Sequence, residues 1–437
     1  MKTNYDALVP ALKSLLPSEK IDGMGRTIRF IRRLRAISAC AFVWSVVLSR
    51  FGQGVPGFEQ ARRWYQRLTG KRIWPRPFQM RFKGRATVHL LERSFEQAVE
   101  PWRRCTARHP LARHFADVVV CDSTLVQVSD VLRRWFYGTL RTAASLKVLL
   151  VVSLWGLRPL AARIVPGHQH DARADLPLEF LRDGSLVLFD KGFLDYARLQ
   201  RLDERSVFYL CPFKRNCNAQ VVRIHSGPSR FRKAVARSRD GVQLRTILPK
   251  EKRIRKTWDL EVLLTDARRR IQQTIRTRLV IQPGSDGCQR PYVTNLRADR
   301  WSAPAIVELY RLRWQIELIF KELKQHLGLR SVPTKDPYAA QVLLWASLVA
   351  LALSRTVAAW LAPTWVGLAH ALRPALLSRT LRATIGLLAN SLIQPFSKAK
   401  ILLELLAEHL MAETCQLAPD RPDSFKRIRS LLPPVPA

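Results

Sequence analysis

The sequence has no apolar run long enough to cross a membrane. Its two longest, "AISACAFVWSVVL" and "VLLWASLVALAL", end at Arg50 and Arg355, short of the roughly 20 residues a spanning helix needs. They read instead as buried helices. The opening "MKTNYDALVPALK" lacks the sections of a signal peptide. Cysteine forms no framework: there are seven, and the closest pair, Cys211 and Cys217, matches no usual zinc spacing. Such thiols act as small apolar residues in a reducing cytoplasm. Internal repeats and low-complexity tracts are also missing. The most telling shortage is of acid, because 34 Asp+Glu face 73 Lys+Arg for a net charge of +39. Such an excess repels itself unless a polyanion neutralises it, which makes nucleic acid the leading partner. An anionic membrane surface is the rival, disfavoured by the short apolar runs.

What is present describes a globular chain. With 437 residues, 47% hydrophobic and 24% charged, it can bury a large core and divide into several domains. Residues 1–115 read as helical and basic. "RTIRFIRRLRAISACAF" puts Arg26, Arg29 and Arg33 on one side of a helix. A turn-rich stretch, "TGKRIWPRPFQMRFKGRA", then precedes a helix in "TVHLLERSFEQAV". This suits a helix-turn-helix reader of DNA, and equally a solvated basic helical bundle. From Ala116 the pattern changes to buried strands, "ADVVVCDST", "SLKVLLVVSLWG", "RPLAARIVPG" and "DGSLVLF", which predict an α/β core over 116–206. Residues 207–288 read as a basic β-rich insertion, in which Arg268, Arg269 and Arg270 suit a DNA backbone. The core resumes over 289–332, and 333–437 is helical with a loose end.

Two acids stand out. Asp122 follows "VVVC" and Asp190 follows "LVLF", so each sits near the carboxyl end of a buried strand, where open α/β sheets place their ligand sites. A third lies in "YRLRWQIELIFKELK". At 100° per residue, Tyr310, Arg313, Glu317 and Lys324 form one stripe beside an apolar core face, while Glu308 and Glu322 point away. Three acids in a basic protein suit Mg²⁺, which prefers oxygen ligands. Two such ions about 4 Å apart can activate an attacking oxygen and stabilise a leaving one at phosphorus. Arg313 and Lys324 can hold neighbouring phosphates and Tyr310 can contact the DNA. A solvated helix with an Arg313–Glu317 pair is the simpler alternative.

Tyr-x2-Arg-x3-Glu-x6-Lys at these positions resembles the signature of the insertion-sequence-four family of bacterial transposases, within the DDE (Asp, Asp, Glu) superfamily. "VVVCDST" and "LVLFDKGF" resemble its two Asp motifs, with Lys191 where Arg is more usual, and "YVTNL" resembles the strand leading to the Glu helix. The resemblance implies a ribonuclease H-like core interrupted by a β-rich insertion. It implies cleavage at the ends of a mobile element, often through a hairpin, and joining of the freed 3′ ends to target DNA. It also implies Mg²⁺ or Mn²⁺ on Asp122, Asp190 and Glu317, and DNA-end contacts from Tyr310, Arg313 and Lys324. Catalysis on two element ends at once favours a homodimer on DNA, and a cytoplasmic, nucleoid-associated location is expected. Some relatives carry a Trp before the last strand to stack on a flipped base. Here "CQRPYVTNL" has none, leaving Tyr292 and Trp258 as candidate rings. A host-adopted, silent DNA-binding descendant is the alternative to an active enzyme. His168, His170, Asp171 and Asp175 in "GHQHDARAD" read as a loop entering a helix rather than a metal site.

Overall fold

The structure, a computed structural model, describes residues 5–31, 37–52, 57–105, 110–214, 219–248, 254, 256–266, 273–284, 289–330, 332–361, 374–394, 396–414, 428 and 430–433. Six helices open the chain: α1 (Tyr5–Leu15), α2 (Ser18–Thr27), α3 (Ala39–Ser49), α4 (Phe58–Thr69), α5 (Pro75–Phe82) and α6 (Arg85–Arg103). The single helix expected through Arg26 and Arg29 instead stops at Thr27, and Arg29 adopts a left-handed φ of 60°. The reason is packing. A Cβ on Gly25 would lie 2.6 Å from that of Ala39, so the glycine lets α2 meet the start of α3, where Asp22 accepts from the Cys40 amide. Arg33 lies outside the described residues. The expected turn before α6 contains α5, with Pro75 in its first turn, where no helical partner is lost.

Beyond α6 the chain turns to strands whose side chains alternate between two cores. The core strands are β1 (Val118–Gln127), β2 (Tyr137–Thr139), β3 (Thr142–Ser153), β4 (Arg158–Pro166), β5 (Leu186–Phe189) and β6 (Phe208–Pro212). Val118 and Val120 of β1 and Leu186 and Leu188 of β5 enter one core, while Val119, Cys121, Val187 and Phe189 enter the other. Successive side chains point to opposite faces. β1 pairs antiparallel with β3 and parallel with β5, β5 pairs parallel with β6, and β4 flanks β3. The order β4-β3-β1-β5-β6 is that of a ribonuclease H-like core. Helix α7 (Tyr196–Glu204) links β5 to β6 on the second face.

The remaining strands extend this sheet. They are β7 (Ala219–Ser226), β8 (Val242–Gln243), β9 (Trp258–Asp266), β10 (Gln273–Pro283) and β11 (Gln289–Thr294), with short helices α8 (Arg232–Arg237) and α9 (Leu244–Ile247) between β7 and β9. β11 pairs antiparallel with β6, and the sheet continues through β10, β9, β7 and β8. Two expectations change. "SVFYLCPF", counted into the insertion, forms β6 beside β5, so the sheet places it in the core. "GVQLRTILP" yields only a two-residue strand before α9.

After β11 come α10 (Ala303–Arg311), α11 (Gln315–Gln325), α12 (Pro337–Leu361), α13 (Pro374–Ile393) and α14 (Phe396–Thr414). Contrary to the expectation that no apolar stretch reaches spanning length, α12 is long and apolar enough to cross a membrane by length and composition, but 89% of its most apolar window is buried inside the protein. Within it, Arg355 donates to Glu322 of α11 at 3.0 and 2.5 Å and to the Leu157 carbonyl in the β3–β4 turn. Ser378 of α13 also donates to Glu322. Both charges are almost fully buried. Glu322 does point away from the stripe, and this buried network is where it points.

Removing one member of a buried pair strands the other charge, typically at about 3–5 kcal/mol. Glu322→Gln should lower stability by that order in urea unfolding, and a Glu322→Met/Arg355→Met double variant should recover most of it. A second prediction concerns Asp117, which is buried and accepts from Ser153 Oγ at 2.8 Å. Burial pushes its carboxyl up to about 6, against the Ser153 bond, the Val118 amide, Arg182 and Arg158. The folded state therefore holds this proton more tightly than the unfolded chain, so stability falls as pH rises from about 4 through 6. Asp117→Asn should raise the melting temperature at pH 8 and leave it unchanged near pH 4.

Candidate active site

Strand parity places two of the acids, Asp122 and Asp190, side by side. Asp122 continues the Val118, Val120 series on β1, and Asp190 continues Leu186, Leu188 one residue past β5. Cys121 pairs with Phe189 in parallel register, so the next residues along the two strands are Asp122 and Asp190, with the strands about 4.8 Å apart. Both head towards the face that α11 covers. Asp190 also caps the single turn Lys191–Phe193, accepting from the Gly192 amide at 3.2 Å, and Lys191 is exposed beside it.

The helix bearing Glu317 is not one continuous α-helix. A 3-10 turn, Leu312–Trp314, separates α10 from α11. Arg313 sits in this turn, and its guanidinium donates to Asp122 Oδ2 at 2.7 Å and to Glu317 Oε1 at 2.6 Å. The four-residue spacing does produce the local ion pair, but the same guanidinium also reaches across to β1. Lys324 lies seven residues beyond Glu317, on the same side of α11 two turns on.

Asp122 is half in conflict with its surroundings. Burial pushes its carboxyl up to about 6, helped by Asp190 and Asp171, while the Ser123 amide and Arg313 pull it down. Among the described residues no trio of His, Cys, Asp or Glu side chains closes on one point, and Arg313 lies between Asp122 and Glu317. The donor set nevertheless fits a hard cation. It is all carboxylate oxygen, two members lie on adjacent strands, and the third is already joined to the first through a positive charge.

Beside the acids is a cavity of about 370 Å³ lined by Tyr292, Tyr310, Arg290, Arg311, Arg313 and Trp314, among others. The Tyr292 and Tyr310 rings lie 4.8 Å apart, and Arg313 sits over the Tyr310 ring. Burial raises both phenols above their ordinary range. Tyr292 is thus brought to the stripe. Trp258 is not; it packs into the other core, against Gly227. Arg26 lies in the last turn of α2, and Arg268, Arg269 and Arg270 fall outside the described residues.

Sequence reasoning missed two features. Trp314 is about half exposed at the cavity; the apolar residue beside Arg313 was the available signal. Asp171 is held by Lys147 at 2.9 Å and Ser123 at 3.1 Å. A Cβ on Gly192 would lie 2.8 Å from its Oδ2, so the glycine after "DK" leaves room for this carboxylate. His168 stacks edge-on against Tyr137, and Asp175 faces Arg163. The stretch makes a 3-10 turn, Asp171–Arg173, rather than entering a helix.

Arg313→Gln removes the guanidinium from Asp122. Carboxyl ¹³C titration in the presence of a chelator should place the Asp122 midpoint near 6 in the parent and higher in the variant. An unchanged midpoint would show that Arg313 does not help to ionise Asp122.

Comparison with known proteins gives the family. A family model described as "Transposase DDE domain" matches residues 113–353. The transposase of insertion sequence element IS231F from Bacillus thuringiensis subsp. israelensis is 22% identical, with 79% of this chain and 78% of that protein covered. The transposase of IS1151 from Clostridium perfringens is 20% identical over 82% of this chain and 81% of its own length. A solved piggyBac transposase synaptic complex with hairpin DNA aligns at a TM-score of 0.43 and 10% identity, covering 97% of this chain and 85% of that one. The family match spans more than half of the sequence and contains all three acids, so the chain belongs to the DDE transposases, enzymes that cleave DNA phosphodiesters and transfer strands.

Proposed function

We propose that this chain is the transposase of a bacterial insertion sequence of the insertion-sequence-four type, acting as a homodimer that cuts at the element's terminal inverted repeats and joins the 3′ ends to target DNA. One observation carries the reading: Arg313 joins Asp122 on β1 to Glu317 on α11, with Asp190 just past the end of the neighbouring strand. In this reading Asp122, Asp190 and Glu317 hold divalent cations, Mg²⁺ or Mn²⁺. When bound, these supply Lewis-acid stabilisation of the attacking and leaving oxygens.

The chain's own groups do the rest. Arg313 keeps the acids paired before DNA arrives and then turns to a phosphate oxygen, where its planar fork suits two-point contact. Lys324 and Lys191 hold flanking phosphates as point charges. Tyr310, Tyr292 and Trp314 surround a cavity with room for a base turned out of the stack, an event a hairpin step would need. The arginines at its rim favour the adjoining backbone.

The test is a cleavage assay on the repeats flanking the coding region, with Mg²⁺. Changing even the hydrogen-bond partners of metal ligands typically costs 10–100-fold, so Asp122→Ala, Asp190→Ala and Glu317→Ala should each lose more than about 100-fold while still binding DNA. Tyr292→Ala should reduce hairpin formation more than first-strand nicking. Full cleavage by Asp122→Ala would remove the proposed site, and a wild-type chain that binds the repeats without cutting would point to a silent descendant.

A further inference from the structure

Eleven large apolar side chains are exposed among the described residues, and five of them fall between 125 and 140: Leu125, Val131, Trp135, Tyr137 and Leu140. They belong to the segment that leaves β1 just beyond Asp122 and returns through β2 into β3. Its inner side is ordinary, since Val128, Leu132 and Phe136 are buried in the core. The outer side is not. Across the 3-10 turn Asp130–Leu132 and the turn residues after it, Leu132 and Phe136 are buried while Val131 and Trp135, also four apart, are exposed, with Arg133 and Arg134 exposed between them. Arg133 sits over the Tyr137 ring and Arg134 over Trp135, and Arg141 is exposed at the β2–β3 tip. A surface left apolar by chance would not interleave guanidinium groups with rings. Nucleic acid offers both complements, phosphates for the arginines and base or sugar faces for the rings.

The sheet order says which DNA. Asp122 stands on the central strand β1 and Asp190 just past the end of its neighbour β5. The Tyr292–Tyr310 cavity lies on the β6–β11 side of them, and this hairpin lies on the β3 side. From Asp122 to Gln127 the strand advances about 17 Å at roughly 3.4 Å per residue, about the rise of five base pairs. Strand transfer requires two duplexes at one set of acids. With the element end against the cavity, the opposite flank is left for the second duplex. Resting on the transposase reading, we infer that the β1–β3 hairpin is the target-DNA surface. Arg133, Arg134 and Arg141 take phosphates, and Trp135 and Leu140 press on the bases or sugars of a bent duplex.

The full chain is tested by fluorescence anisotropy with a duplex unrelated to the terminal repeats and with a repeat-end duplex. The variants are Trp135→Ala/Leu140→Ser and Arg133→Ala/Arg134→Ala. The first should bind the unrelated duplex at least tenfold more weakly, and Trp135→Phe should restore most of the loss. The second should flatten the dependence of log K on log salt by between one and two. Both should bind and cleave repeat ends within twofold of wild type, and strand transfer of pre-cut ends should fall with target affinity. Unchanged affinity and salt slope would overturn the inference. So would an equal loss for repeat ends, which would make this the end-binding surface. Sedimentation showing that the variants lose a dimer would also overturn it, in favour of a contact between copies. The binding arm needs no catalysis, so a wild type that fails to cleave counts against the proposed function alone.

Discussion

Carboxylates gathered in a half-buried place repel one another, and the surroundings of Asp122 are organised by that fact. Its ionisation is opposed by burial, by Asp190 and by Asp171. Relief comes from the Ser123 amide and from the Arg313 guanidinium, which is shared with Glu317. The chain as a whole carries +39, yet distant cations are screened within about 10 Å at ordinary salt. Only a positive charge in contact can hold the acids together. In the structure Arg313 has that part between Asp122 and Glu317, and in the proposed working state divalent cations would take it over. In that proposal one side chain has two uses: it links Asp122 to Glu317 in the structure, and once displaced it would contact a phosphate.

Such a bridge is only as exact as the helix that carries it. α11 is fixed from behind by Glu322, fully buried and paired with Arg355 of α12, which also holds the β3–β4 turn through the Leu157 carbonyl. Arg50, at the end of α3, donates to Ser347 and to the Gly328 carbonyl just past α11. A buried pair adds little net stability compared with apolar residues of the same shape. What it adds here is direction, because a carboxylate and a guanidinium joined at two points resist rotation of α11 where a greasy contact would allow it. The apolar length of α12 has the same origin, since the helix is surrounded by the protein it braces.

The strands and acids were legible because β structure has a period of two. "VVVCD" and "LVLFD" each put the acid at a known parity and depth, and the parallel register does the rest. The stripe on the Glu helix was legible from spacing, although the 3-10 turn at Leu312–Trp314 was not. No residue in "LRW" forbids an α-helix, so the tightening comes from tertiary contact. Glu322 could be seen to leave the stripe, but its partner lies 33 residues on. Asp171 was hidden for the same reason: its holders, Lys147 and Ser123, come from two other strands. β6 was counted with the insertion because a strand's sequence does not say which neighbour it pairs with. Arg29 shows the limit of helical periodicity, because the break there depends on Gly25 meeting Ala39.

The inserted strands do more than add basic surface. Because β10 pairs with β11 and β11 with β6, the insertion continues the same sheet that carries Asp122. Arg278 of β10 fixes that extension, pairing with Asp259 of β9 at 2.6 Å and donating to the Leu296 carbonyl after β11. Tyr292, on β11, is therefore held in the same rigid body as Asp122 and Asp190, with Tyr310 packed against it. A separate insertion domain on a linker could sample many distances from the acids. A continuous sheet allows one, to within the small strains a ladder of backbone hydrogen bonds tolerates. The proposed base cavity and the proposed metal site are thus spaced by strand geometry, a distance that substitutions of surface charge would leave unchanged.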